Sequence, residues 1–166
     1  MTKLPPKRSR KPQERKKPSK ATFDKARRKK LEGDLDKLWA QIVRKIWCEK
    51  CGWPGCQYPS SQSHHFYHKA HGLRARWNLD NGICLDFYHH IQRVHRQGDT
   101  EPIRDAIIDK IGNDRFEQLK IDVQGIWKPT IQELEVLRED FAARLSSQLD
   151  PDTYDDLDRI LEEAGI

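Results

Sequence analysis

The chain has 166 residues, room for one compact domain with tails, and 34% of them are charged against 36% hydrophobic. So polar a composition predicts that part of the chain lies outside any packed core. No apolar run could span a bilayer, and the N-terminus lacks the apolar stretch of a secretory signal. We therefore expect a cytoplasmic protein without a membrane partner, whose four cysteines are metal ligands or free thiols rather than disulfides.

The charge is concentrated in two tails of opposite sign. Residues 1–30 carry 14 Lys and Arg against two acidic residues, and residues 150–166 carry seven Asp and Glu against one Arg. We expect residues 1–22 to form a disordered basic arm that binds DNA phosphates, with a solubilising tail as the alternative. The acidic tail, 150–166, is either a frayed end or a marginal helix that docks on a protein partner or on the basic arm.

Hydrophobic periodicity predicts helices on both sides of a central region. An apolar stripe from Leu31 to Ile46 indicates an amphipathic helix that begins near Phe23 and ends near Trp47, and its role is core packing. Residues 99–149 predict a helical scaffold, with a stop at Gly112 and a capping box formed by Thr130 and Glu133. Residues 23–98 then hold the first helix and a Cys- and His-rich module.

The Cys- and His-rich module has its polar residues in a distinctive order. A Cys48-x-x-Cys51 pair comes first, then His64-His65, then Asn81, and finally a histidine nine residues after that asparagine, His90. Each part alone is a weak signal, but order and spacing together are specific. This segment resembles the HNH, or ββα-metal, endonucleases, and the resemblance implies an α+β fold, mostly helical, in which a small ββα module is flanked by helices.

The resemblance assigns a role to each of these residues in hydrolysis of a DNA phosphodiester. His65 is the general base that activates water. His64 and His90 hold a catalytic divalent ion, Mg²⁺ or Mn²⁺, that neutralises the phosphate and stabilises the leaving oxygen. Asn81 braces the loop that orients the base. His95, five residues after His90 where a spacing of four is common, receives no firm role.

The resemblance also implies a structural Zn²⁺, held in many relatives by two CxxC pairs. In this chain the second pair is replaced by Asp86 and His89, which zinc accepts, so the expected ligands are Cys48, Cys51, Asp86 and His89. Cys84 and Cys56 are possible substitutes. The alternative is that zinc is lost and that aromatic packing by Trp53, Phe87 and Tyr88 replaces it.

A narrower similarity covers about residues 35–145. The runs Arg76-Trp77-Asn78-Leu79-Asp80-Asn81-Gly82 and Ile111-Gly112-x-x-Arg115-Phe116 are similar to phage HNH proteins grouped with the lambda NinG/Rap recombination endonucleases. That group implies nicking or cleavage of branched DNA during recombination, in the cytoplasm of a bacterial host. Lys69, Arg74 and Arg76, between His65 and Asn81, are expected DNA contacts. A non-catalytic zinc-containing DNA-binding module with a basic arm is the alternative function.

Overall fold

The computed structural model describes residues 19–68 and 73–146. The architecture is mostly helical with one small two-stranded antiparallel sheet, which confirms the predicted α+β class. The acidic tail lies outside the described residues. In chain order the elements are α1 (Lys20–Ile46), β1 (Gln62–His65), α2 (Leu73–Trp77), a 3-10 turn (Leu79–Asn81), β2 (Gly82–Leu85), a π-helix (Tyr88–Arg96), α3 (Glu101–Ile111), α4 (Asn113–Asp122) and α5 (Ile131–Ser146).

The long helix α1 confirms the predicted amphipathic helix, which ends at Ile46 with Trp47 as its C-cap. It starts earlier than expected, because Ser19 caps it by accepting a hydrogen bond from the Thr22 amide (3.4 Å). Residues 20–22 therefore belong to α1 and not to the basic arm. Its apolar stripe packs against α5 in a core whose buried members include Leu31, Leu35, Trp39, Leu134, Leu137 and Phe141.

A second core lies under the sheet. Ile83 and Leu85 of β2 pack with Val94 of the π-helix and with buried side chains of α3 and α4, namely Ile103, Ile107, Phe116 and Leu119. The predicted stop after α3 is confirmed at Gly112, whose φ of 84° favours glycine. The capping box of α5 is confirmed as well, since the Glu133 amide donates to Thr130 Oγ1 and the Thr130 amide donates to Glu133 Oε2.

The sheet places two consecutive histidines on its opposite faces. β1 pairs with β2 so that His64 lies opposite Ile83 and His65 opposite Gly82. Because side chains alternate along a strand, His64 shares a face with Gln62 while His65 lies on the face toward α1. Gly82 allows α1 to pack directly on β2, since a Cβ there would overlap the side chain of Val43. Within the described ranges, no helix combines the length and apolar character needed to cross a membrane.

Candidate metal centres

Three histidines meet at the surface between β1 and the π-helix. His90 Nε2 lies 3.1 Å from His64 Nδ1 and 3.1 Å from His95 Nε2, and the three nitrogens all lie within 4.8 Å of one another. Nitrogens that share one tetrahedral ion at about 2.0–2.1 Å are about 3.3 Å apart. The histidine cluster (His64, His90 and His95) therefore has the spacing of a metal-binding site, and it includes both histidines predicted as ligands of the catalytic ion.

Gln62 fixes the protonation pattern of the central histidine. Its Oε1 lies 2.6 Å from His90 Nδ1, and because an amide oxygen can only accept, Nδ1 carries the proton. In the neutral ring the lone pair is then on Nε2, the nitrogen that faces His64 and His95. Such hydrogen bonds orient metal-binding histidines in many proteins. Sequence reasoning missed Gln62, although its place two residues before His64 on one strand puts both on the same face.

Two rings of the histidine cluster, those of His64 and His90, favour the neutral form. Burial, together with the charges of the neighbouring histidines, lowers the pKa of His64 from 6.5 to about 3. Burial and the charge of His95 also lower the pKa of His90. A neutral imidazole is the form that binds a metal ion, and His95 is exposed, so the cluster is both ready for an ion and open to solvent.

The π-helix explains why His95 reaches the cluster despite its spacing. In an α-helix, a residue five positions on is turned by about 140° from the first. The segment Tyr88–Arg96 is wound as a π-helix, in which hydrogen bonds close over five residues, as from the Gln97 amide to the Gln92 carbonyl. His90 and His95 therefore lie on one face, one turn apart. In an α-helix, the five-residue spacing would turn His95 away from His90. In the π-helix, the same spacing brings the two rings together.

The π-helix can be tested by shortening it. Deleting Gln92 is expected to convert the segment to an α-helix and to leave the two histidines four residues apart on one face. We expect the deletion variant to keep its metal content, measured by elemental analysis of the purified protein. The matched control is a variant with an alanine inserted after Gln92. This variant should lose the ion, because the rings of His90 and His95 then point apart. Loss of the ion in the deletion variant alone would contradict this account.

His65 lies on the other face of β1, held between α1 and the loop that follows the strand. Its ring stacks on Trp39 of α1, with ring centroids 3.7 Å apart and planes at 7°. Its Nε2 lies 2.8 Å from the Arg76 carbonyl, which can only accept, so Nε2 carries the proton and the lone pair of the neutral ring is on Nδ1. Trp39 was predicted as core packing only, and the structure adds that it is the platform for His65.

Asn81 ties together both ends of the loop between the strands, and its side chain is fully buried. Its Nδ2 donates to the carbonyls of Tyr67 and Ala75, at 2.8 Å each, and its Oδ1 accepts from the Tyr67 amide at 2.7 Å. Ala75 precedes Arg76, whose carbonyl holds the His65 ring. Asn81 thus holds Tyr67 and Ala75 together, and its role as a brace for the base stays a prediction.

A second group of potential ligands lies at the start of the π-helix. The ligand atoms of Cys51, Cys56, Asp86 and His89 all lie within 4.8 Å of one another, and we call this group the cysteine cluster. Cys51 Sγ lies 3.6 Å from His89 Nδ1, which is about the separation of sulfur and nitrogen ligands on a tetrahedral zinc. Cys56 Sγ lies 3.2 Å from Asp86 Oδ2, which is in turn 2.8 Å from His89 Nδ1.

The electrostatics of the cysteine cluster suit a bound cation. Burial raises the pKa of Cys51 to about 12, so its thiolate needs a nearby positive charge to form. Burial alone would raise the pKa of Asp86, but hydrogen bonds from His89, Cys56 and Cys51 outweigh it and hold the pKa at about 2. The cluster thus offers two thiols, one ionised carboxylate and one imidazole, a set that binds zinc.

The structure changes one expected zinc ligand. Cys48 is exposed in a turn with a φ of 50°, and among the described residues no potential metal group includes it. Cys56 takes its place beside Cys51. Cys84, the other possible substitute, is buried in β2, where its Sγ donates to the Ser60 carbonyl. The positive φ values of Cys48 and Glu49 show that the chain turns sharply between the two members of the CxxC pair.

Two of the three aromatic residues named in the zinc-free alternative are exposed. Trp53 stacks on His89, with centroids 4.6 Å apart, and so supports a ligand of the cluster. Phe87 and Tyr88 are 65% and 57% exposed, so they cannot form the packed substitute that the sequence left open. That alternative is not supported.

Two of the three basic residues expected to contact DNA, Arg74 and Arg76, have other partners. Arg76 is largely buried, and its guanidinium donates to Asp36 (2.8 Å) and Glu32 of α1, which raises its pKa. Arg76 therefore fastens α2 to α1, because the two carboxylates of α1 lie directly under it. Arg74 lies 3.9 Å from Asp122. Lys69 lies outside the described residues.

Comparisons of the chain with protein-family models, with curated proteins and with solved structures found no match. The features of the chain that bear on function are therefore the two clusters and His65.

Proposed function

We propose that this protein is a metal-dependent DNA endonuclease of the HNH type. The observation that carries the proposal is the convergence of three imidazole nitrogens beside one face of β1, with an oriented histidine next along the strand. A structural site needs four ligands, whereas three histidines leave positions open for water and substrate. The histidine cluster therefore has the composition of a catalytic centre.

His65 has the orientation that a general base requires. The Arg76 carbonyl holds the Nε2 proton, so the neutral ring accepts a proton at Nδ1. Trp39 fixes the plane of the ring, and Asn81 fixes the loop that carries the carbonyl. An ion bound by the histidine cluster would supply charge neutralisation at the phosphate and stabilise the leaving oxygen. His64 can hold the ion while His65 acts as the base, because side chains alternate between the two faces of β1.

The donor set favours a transition ion at the histidine cluster. Imidazole nitrogen suits Zn²⁺ and Ni²⁺, whereas Mg²⁺ and Mn²⁺ are more usually held by oxygen ligands. The three histidines therefore fit Zn²⁺ or Ni²⁺ better than either of the two ions expected from the family resemblance. At the cysteine cluster, two thiolates favour zinc in a structural role that fixes the start of the π-helix.

A cleavage assay tests the proposal directly. Purified protein is incubated with supercoiled plasmid and with a four-way junction, each with Mg²⁺, Mn²⁺, Ni²⁺ or Zn²⁺. We expect nicking or cleavage that needs an added ion and that falls by about 10²–10⁴-fold in His65→Ala, the range for loss of a general base. His68→Ala, an exposed histidine three residues on, is the matched control and should stay active.

Two outcomes would oppose the proposal. Intact DNA with every ion, from a folded protein that binds DNA equally well with and without His65, would favour the alternative of a non-catalytic binding module. Cleavage that is unaffected by His65→Ala would remove the assigned base.

A further inference from the structure

The first three turns of α1 extend beyond the packed core. Buried positions on α1 begin at Leu31, whereas nearly every residue from Lys20 to Lys30 is exposed, including Phe23 at 61%. We call this stretch, 20–30, the basic extension. Two contacts fasten it to the body, the ion pair of Arg27 with Glu135 and the hydrogen bond from Arg28 to the Pro129 carbonyl.

The basic extension carries six cationic side chains and a single acidic one, Asp24. Arg27 and Arg28 are paired with the body, but within the described part of the chain no ion pair is made by Lys20, Lys25, Lys29 or Lys30. The arrangement is unfavourable for an isolated helix. Lys25 and Lys29 are one turn apart, so their charges repel, and the first turn has no acidic residue to complement the helix dipole. An anionic partner would relieve both effects.

We infer that the basic extension is a rigid DNA-binding element that contacts duplex phosphates at a fixed distance from the cleavage centre. The inference rests on the proposed function and adds where the DNA is held. The occupant follows from charge complementarity, because four lysines on an exposed helix, without an ion pair among the described residues, match a duplex backbone. The basic run of the preceding residues continues the same charge toward the N-terminus.

The distance follows from the helix itself. Trp39, which stacks on His65, belongs to the same helix as the lysines. At 1.5 Å per residue, Lys30 and Lys20 lie about 14 and 28 Å along the axis from Trp39. With base pairs about 3.4 Å apart, an α1 that ran along the duplex would place these lysines about four to eight base pairs from the bond aligned with His65, which is the upper limit of their reach. The stack of Trp39 on His65 links the two sites through one rigid element.

The test measures DNA binding without cleavage. In the His65→Ala background, the variant K25Q/K29Q/K30Q is compared with K37Q/K110Q/K120Q, which removes the same charge from other parts of the surface. Glutamine keeps the helix propensity of lysine. Affinity for a labelled 30-base-pair duplex is measured by fluorescence anisotropy across a salt series. Amide hydrogen exchange of residues 20–30 is followed with and without DNA.

We expect the basic-extension variant to lose about 10²-fold in affinity near 0.1 M salt and its logarithmic salt slope to shrink by about 2–3, because each phosphate contact contributes about 0.9. The control should change little, and DNA should protect the amides of 20–30 from exchange. Equal slopes in the two variants would overturn the inference. Tighter DNA binding by the basic-extension variant would also overturn it, and would assign the lysines to the acidic tail of the same chain.

This result is separable from the proposed function. A wild-type protein that cleaves DNA while both lysine variants bind alike would leave the nuclease standing without this contact. A protein that binds DNA through the basic extension but never cleaves it would support this contact and contradict the proposed nuclease function.

Discussion

Cys56→Ser is expected to abolish the zinc binding proposed for the cysteine cluster and to destabilise the protein strongly, whereas Cys48→Ser is expected to do neither. Cys56 Sγ belongs to the cysteine cluster and contacts Asp86, while Cys48 is exposed and outside it. Loss of a structural metal is among the few single changes that cost about 4 kcal/mol or more of unfolding free energy. For a chain of this size we expect Tm to fall by about 10 °C or more.

The two serine variants form a matched pair, because both make the same chemical change at cysteines eight residues apart. Zinc content by elemental analysis and Tm by calorimetry are the measurements. Equal zinc in the two variants, or loss of zinc from Cys48→Ser alone, would contradict the ligand set of the structure and restore the one expected from the CxxC spacing.

His90→Ala is expected to abolish cleavage together with binding of the second ion. His90 is the central member of the histidine cluster, since its Nε2 lies 3.1 Å from a nitrogen of each of the other imidazoles. The variant should therefore retain one ion per chain, at the cysteine cluster, and lose about 10³-fold or more in cleavage rate. His65→Ala should instead retain both ions and lose only the rate, because its ring lies on the opposite face of β1.

The two histidine variants are expected to differ in metal content, and this difference distinguishes a metal ligand from a general base. Metal stoichiometry and single-turnover cleavage are measured on the same preparations, with circular dichroism as the control for folding. If His90→Ala keeps its second ion, or if His65→Ala loses one, the roles assigned to these residues would have to be exchanged or abandoned.

Much of the helical framework could be predicted from the sequence because its signals are local. The apolar stripe of α1, the stop at Gly112 and the capping box of α5 each depend on residues within one or two turns of each other. The chain-order pattern of His64, Asn81 and His90 likewise survives folding, since β1, the 3-10 turn and the π-helix bring these residues to the same module.

The predictions differ from the structure where the backbone departs from regular α-helical or extended geometry. The spacing of five between His90 and His95 is wrong for an α-helix and right for a π-helix. The CxxC pair predicted Cys48 as a ligand, but a turn of positive φ separates it from Cys51, and the chain returns through Cys56. Neither the helix type nor the turn has a reliable signature in a single sequence.

The sequence by itself determined the class of residues at the site, the order in which they occur and the helices that hold them. Only the tertiary structure decided which side chains meet. Gln62 orients His90, Trp39 stacks on His65 and Asp36 takes Arg76 away from the surface. Each of these contacts joins residues 26 to 40 positions apart on different elements, so it depends on how the elements pack together and not on any local pattern.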